Sequence, residues 1–236
     1  MSREQVRQAL EVVPDPSNGI PINPCTEQKY SKTNPILHRL SCSAKNNKIY
    51  VAAIMGDMQN CSKTIHSKCP DDGLYQFNTI ILFDDNGYLK LKYHKMHLFG
   101  ELYYNPAPNP ELMYADTPFG RLGVFNCFDI IFKSPGIDLV HRFNVTTMLF
   151  PHWWFDLLPF LTAIQWQQAW AFTNQVNVLA SNSHIPSRGS LGSGIYSGHK
   201  GAVVYSYEPD GKPKLLIADI PINPNSKTKC EKNEKI

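Results

Sequence analysis

Tyr93-His94-Lys95-Met96-His97-Leu98-Phe99-Gly100-Glu101, taken with Gly123-Val124-Phe125-Asn126-Cys127-Phe128-Asp129, decides how the chain is read. Each stretch has the pattern of an apolar strand running into a turn. A side chain at a strand end is held by a rigid element, which chemistry on a small substrate needs. The expectation is that Lys95 and Cys127, 32 positions apart, meet at adjacent strand ends as a cation and a thiolate.

Upstream of Lys95, Phe77 to Phe83 and Tyr88 to Tyr93 flank the turn Asp84-Asp85-Asn86-Gly87, a strong hairpin signal. Before that pair, Ile49 to Ile54 reads as a buried strand, and Ile36, Leu37 and Leu40 mark a short amphipathic helix over 36–44. Residues 1–12 carry helix formers until Pro14, Pro16, Gly19 and Pro21 break the helix. Between Gly56 and Gly73 lies a loop in which a Cys61–Cys69 bridge would close a short ring. The Pro/Asn-rich loop 104–113 is placed to lie over a site. Downstream, a strand at 122–125 leads into Cys127. A helix is expected from Ser134-Pro135, with Ser134 as cap, to Arg142. A strand at 145–150 follows, then an apolar helical face over 161–176 and a strand at 178–181. A final hairpin is expected to pair 203–207 with 215–219 around Pro209-Asp210-Gly211. Strands alternating with helices, plus hairpins, predict an α/β layered domain with a mixed sheet.

The chain has 236 residues, 42% hydrophobic and 18% charged, enough for one sizeable core. The net charge of +3 resides largely in Lys227, Lys229, Lys232 and Lys235, read as a solvated end, so no nucleic-acid partner is expected. No apolar run is long enough to span a membrane, and Met1-Ser2-Arg3-Glu4-Gln5 is not the start of a signal peptide. The cysteines point the other way. Cys25, Cys42, Cys61 and Cys69 fall in irregular stretches where exported proteins place disulfides, and Asn60-Cys61-Ser62 and Asn144-Val145-Thr146 are glycosylation triplets.

Cys127 is either a buried free thiol or a nucleophile. A neighbouring ammonium favours the second, because cations raise the thiolate fraction. Lys95 supplies that ammonium and Glu101 could hydrogen-bond it in place. His94, His97 and His184 leave open a Cys–His pair. Trp153, Trp154 and Phe155 line an apolar pocket or fill core. No Cys-x-x-Cys or His-x-x-x-His spacing occurs, so no metal and no cofactor is expected.

Jointly, Asn23-Pro24-Cys25, Leu40-Ser41-Cys42, Asp72 to Thr79, Tyr93-His94-Lys95, Phe125 to Ile130 and Gly192 to Tyr196 resemble the nitrilase (carbon–nitrogen hydrolase) superfamily, in its vanin/biotinidase branch. The resemblance implies a four-layer αββα sandwich over residues 1–220, incomplete at the N-terminus, with 221–236 starting a linker to a further domain. It implies Cys127 as nucleophile, Lys95 as the cation beside the oxyanion and Glu101 as the second glutamate of such sites, with Phe128, Trp153, Trp154 and His184 at the substrate. It also implies disulfides Cys25–Cys42 and Cys61–Cys69, a Cys230 partnered outside the domain, glycosylation at Asn60 and Asn144, secretion, and membrane attachment only through a C-terminal anchor outside this sequence. The expected partner is a small-molecule amide of the pantetheine or biotin type. The branch's general base, a glutamate in a Phe-Pro-Glu segment, has no counterpart here, so weak or absent turnover is expected. The alternative is a paralogue that binds an amide ligand or a partner protein without cleaving it.

Overall fold

Asp84 sets the hairpin on which the first sheet is built. Its Oδ1 accepts from the backbone N–H groups of Asn86 and Tyr88, and Gly87 takes the positive φ of 84° that the turn requires. The structure, a computed structural model, describes residues 2–224. Its helices are α1 (Arg3–Arg7), α2 (Gln28–Thr33), α3 (Pro35–Asn47), α4 (Asp138–Phe143) and α5 (Ile164–Asn174). Its strands are β1 (Val51–Asn60), β2 (Leu74–Phe83), β3 (Leu89–His94), β4 (Tyr114–Thr117), β5 (Gly120–Val124), β6 (Thr147–His152), β7 (Asn177–Asn182), β8 (Ser193–Ser197) and β9 (Gly201–Ser206). Lys227, Lys229, Lys232, Lys235 and Cys230 lie outside the described residues.

β1, β2 and β3 form an antiparallel sheet in which Ala52 faces Leu82 and Ile80 faces Tyr93. The other six strands form a second sheet in the order β4 to β9, with β5, β6 and β7 parallel and the outer pairings antiparallel. Alternation along the strands divides the interior into three layers of apolar packing. On β2, Ile81 and Phe83 point at Leu37 and Ala44 of α3, while Ile80 and Leu82 point at Leu122, Val124 and Leu149 of the opposing sheet. Across the second sheet, Met148, Phe150 and Val178 pack on Leu139, Trp170 and Ala171 of α4 and α5. The layers therefore run helix, sheet, sheet, helix. Because three strands face six, an apolar groove of about 660 Å³ remains between the sheets beside Tyr50, Leu122, Leu149, Leu179 and Ile195, crossed by residues 216–222.

Both disulfides form, Cys25–Cys42 beside α3 and Cys61–Cys69 in the loop that joins β1 to β2. Glu11 caps α3 from outside the helix, its carboxylate accepting from the N–H groups of Ile36 and Leu37 at 2.7 and 3.0 Å.

Three expectations need correction. β1 runs on to Asn60 and β2 begins at Leu74, so the disulfide loop is 61–73. The helix ending at Phe143 becomes regular only at Asp138, after a wider turn at Lys133–Ile137 in which Ser134 is extended and caps nothing. The last hairpin pairs β8 with β9, and residues 215–219 are not a strand. β8 is rich in small residues, and Gly194 is needed there: a Cβ would sit 2.4 Å from the Tyr196 hydroxyl. That composition hides the strand.

Candidate active site

Lys95 lies one residue past β3, with its main chain held from two sides. Its N–H donates to Asn78 O at 2.9 Å, and its carbonyl accepts from Ala107 N at 3.2 Å. Its side chain is 1% exposed, and its Nζ donates to Glu101 Oε1 at 2.5 Å. A buried ammonium is tolerable only when paired in this way. Glu101 Oε1 also accepts from Asn78 Nδ2 at 3.3 Å, and Asn78 Oδ1 accepts from Asn126 Nδ2 at 2.8 Å. Lys95 is thus connected by side-chain hydrogen bonds to the residue preceding Cys127.

Cys127 follows β5 on a sharp bend with φ 49°, a conformation rare for a residue with a side chain and common where function requires it. It is the free cysteine among the described residues, and its Sγ donates to Trp153 O at 3.3 Å. Burial pushes the thiol up to about 11. Lys95 and the Phe128 N–H pull it down, and Glu101 and Asp129 oppose them. The resting sulfur is therefore protonated at neutral pH, and the expected thiolate is not its ground state. The strand ends also belong to different sheets, so Lys95 and Cys127 approach across the sandwich rather than along one sheet edge.

Asp129 sets that approach. Its fully buried carboxylate accepts from Tyr93 Oη at 2.7 Å, from Asn126 N at 3.0 Å, and from His97 N and Nδ1 at 2.9 Å each. One residue thereby fastens both flanks of Lys95 to the bend that carries Cys127.

Of the residues expected at the site, Lys95, Glu101, Cys127, Phe128 and Trp154 are brought together. Phe128 and Trp154 line a small cavity of about 10 Å³ at Cys127 with Phe99, Phe155 and Leu161. Trp153 contributes its carbonyl, while the residue as a whole is 41% exposed. His184 lies elsewhere, in a cavity of about 480 Å³ with Asn182, Ser183, Ser193 and Lys214. The histidines near Cys127 are engaged otherwise, His94 between Asp57 and Glu111 and His97 on Asp129, stacked against Phe132. Among the described residues no group of three or more His, Cys, Asp or Glu converges as a metal set would. Sequence reasoning gave no role to Asn78, Asn126 or Asp129. The available signal was a polar residue inside an apolar run, as with Asn78 in Phe77-Asn78-Thr79-Ile80-Ile81.

The carbon–nitrogen hydrolase family signature matches residues 1–223. The chain belongs to the carbon–nitrogen hydrolase family. It is 45% identical over 225 residues to pantetheinase of Mus musculus, covering 94% of this chain and 43% of that protein. To biotinidase of Takifugu rubripes it is 38% identical over 226 residues, covering 94% of this chain and 44% of the relative. The chain thus spans less than half the length of these relatives. Saccharomyces cerevisiae Nit3, a member of the nitrilase superfamily, superposes with a TM-score of 0.64 at 21% identity, over 88% of this chain and 68% of its own. The layered sandwich is the fold of that superfamily.

Proposed function

We propose that this carbon–nitrogen hydrolase domain acts on linear amides of the pantetheine or biotin type, with Cys127 as nucleophile. The observation that carries the proposal is the buried Lys95–Glu101 pair facing a free thiol on a positive-φ bend. In this scheme the Cys127 sulfur attacks the amide carbonyl, forming a C–S bond as the thiol proton passes to the amide nitrogen. Lys95 stabilises the developing oxyanion, a role for which a preorganised cation in a dry site is suited. The C–N bond then breaks, the amine departs with a proton, and water hydrolyses the thioester to the acid and the free thiol. Glu101 holds the ammonium. Phe128, Trp154 and the Trp153 carbonyl contact the amide, and His184, in a separate cavity, is left without a contact to it. The two disulfides and the exposed residues Asn60 and Asn144 in their triplets support a secreted, glycosylated product.

Turnover is expected to be slow. Among the described residues no carboxylate hydrogen-bonds Cys127, and loss of a positioned general base costs about 10² to 10⁴ in rate. That same observation supports the second reading, a paralogue that binds an amide ligand without cleaving it. Mass spectrometry of the chain after incubation with activated pantothenoyl and biotinyl amides separates the two. The expected result is one acyl group on the Cys127 peptide, absent in Cys127→Ser and formed about 10² to 10³ more slowly in Lys95→Ala. Reversible binding of either amide with no acylation after hours would replace the enzyme by the binding protein.

A further inference from the structure

His94 is 8% exposed, and both of its ring nitrogens meet carboxylates: Nδ1 lies 2.8 Å from Glu111 Oε1 and Nε2 lies 2.9 Å from Asp57 Oδ2. A carboxylate only accepts, so both contacts are hydrogen bonds only if both nitrogens carry protons. A neutral ring satisfies one carboxylate and turns a lone pair on the other. Glu111 accepts as well from the His94 backbone N–H, through Oε2 at 2.7 Å. Asp57 is fixed independently by Val13 N at 2.8 Å, by Gln59 Nε2, and by Lys92 Nζ at 3.7 Å. The ring stacks on Phe77 of β2, with centroids 4.0 Å apart.

The two ends of the segment 95–111 therefore meet at His94. That segment contains Lys95, carries Glu101 on to the Lys95 ammonium, and lays Phe99 over the Cys127 cavity. We propose that His94 is an imidazolium clasp, a positioning residue that closes the 95–111 loop over Cys127 and releases it when the ring loses its proton. The inference rests on the reading of Lys95, Glu101 and Cys127 as the reacting set. The charged groups facing the ring are Asp57 on β1, Glu111 at the loop end, Lys92 on β3 and, at longer range, Asp15 ahead of the turn at Pro16–Asn18. Burial by itself would lower the pKa of the ring, but the bonds and charges of Asp57 and Glu111 outweigh it and the net shift is upward. The clasp therefore stays closed past the pH at which an ordinary histidine loses its proton, and opens on the alkaline side of that titration.

Two measurements on the full chain test this. Nitrogen-15 NMR of the ring is expected to find both His94 nitrogens protonated at pH 7. In parallel, alkylation of Cys127 by iodoacetamide, mapped on its peptide from pH 6 to 10, is expected to rise above the simple thiol-ionisation line. The rise is a step of about threefold or more, at the pH where the His94 signal titrates. Glu111→Gln removes one facing carboxylate and moves both transitions down by about one pH unit or more. A neutral His94 at pH 7, an alkylation profile without the step, or a step unmoved in Glu111→Gln overturns the clasp. Should Glu111→Gln fail to fold, coincidence of the two wild-type transitions decides the matter. Neither readout needs turnover. A coincident step in a chain that never acylates removes the amidase reading alone, and acylation by a chain whose His94 is neutral removes the clasp alone.

Discussion

Asp129 and His152 show how differently a buried polar residue can be settled. Asp129 spends its carboxylate on four donors from three residues and so decides where Lys95 stands relative to Cys127. His152, at the end of β6, is kept neutral. Burial lowers its pKa to about 4, with only the Phe150 carbonyl at 2.7 Å opposing. Its ring also neighbours Gln167, whose Oε1 accepts from Tyr196 Oη at 2.7 Å. Unfolded, the ring titrates near 6.5, so the unfolded chain takes up the proton first. The stability this neutral ring contributes is complete above about pH 6.5 and is lost as pH falls towards 4, a change of roughly 3 kcal/mol. Urea unfolding at pH 7, 5.5 and 4.5 should show that loss, and His152→Gln should flatten the slope over the same interval. An unchanged slope in the variant would assign the acid sensitivity to other groups. At this scale the sequence announced Lys95 and Cys127 because each stands where an apolar run stops. Asn78 and Asn126 were silent, since an asparagine acquires meaning only through a partner 48 residues away.

Among the elements, the β2–β3 hairpin was legible because its turn chemistry is local: Asp84 and Gly87 determine it without help from the rest of the chain. α3 and α5 were legible from periodicity, although α3 extends to Asn47 and α5 is shorter than the 161–176 pattern. The β8–β9 pair was not, because register and partner choice there follow from contact with β7 and from glycines that read as loop. The segment 215–219 has strand composition but pairs with none of the edge strands; it crosses the groove between the sheets instead, and Leu215 and Ile217 remain largely exposed. Disulfides act on this same scale. Cys61–Cys69 closes a short ring at the end of the β1–β2 pair, beside Tyr75 and Phe77. Replacing both cysteines by alanine should cost about 2–3 kcal/mol, mainly by freeing the unfolded loop. Hydrogen exchange should then show protection lost first at Asn60 and Leu74. If the loss instead spread evenly over β2 and β3, the bridge would be supporting the whole sheet rather than its end.

Over the whole molecule, the four layers are unequal. The first sheet has three strands against six, and the largest group of buried apolar residues lies between the second sheet and helices α4 and α5. Both disulfides belong to the thinner half, at α3 and at the β1–β2 end. Cys127 belongs to the thicker half, 9% exposed, with Phe99, Phe155 and Leu161 around it. Thiol–disulfide exchange proceeds through the thiolate, and a thiol near 11 presents roughly one thiolate in ten thousand at pH 7. In a glutathione buffer poised to preserve the two bridges, peptide mapping should therefore find Cys127 still reduced after hours in the native chain. In urea it should be glutathionylated within minutes. Rapid capture of the native thiol would mean that the aromatic cover is no barrier. The burial that delays the chemistry of Cys127 thus also preserves it: oxidised and reduced sulfur persist in one small protein because aromatic side chains cover the free thiol and a proton silences it.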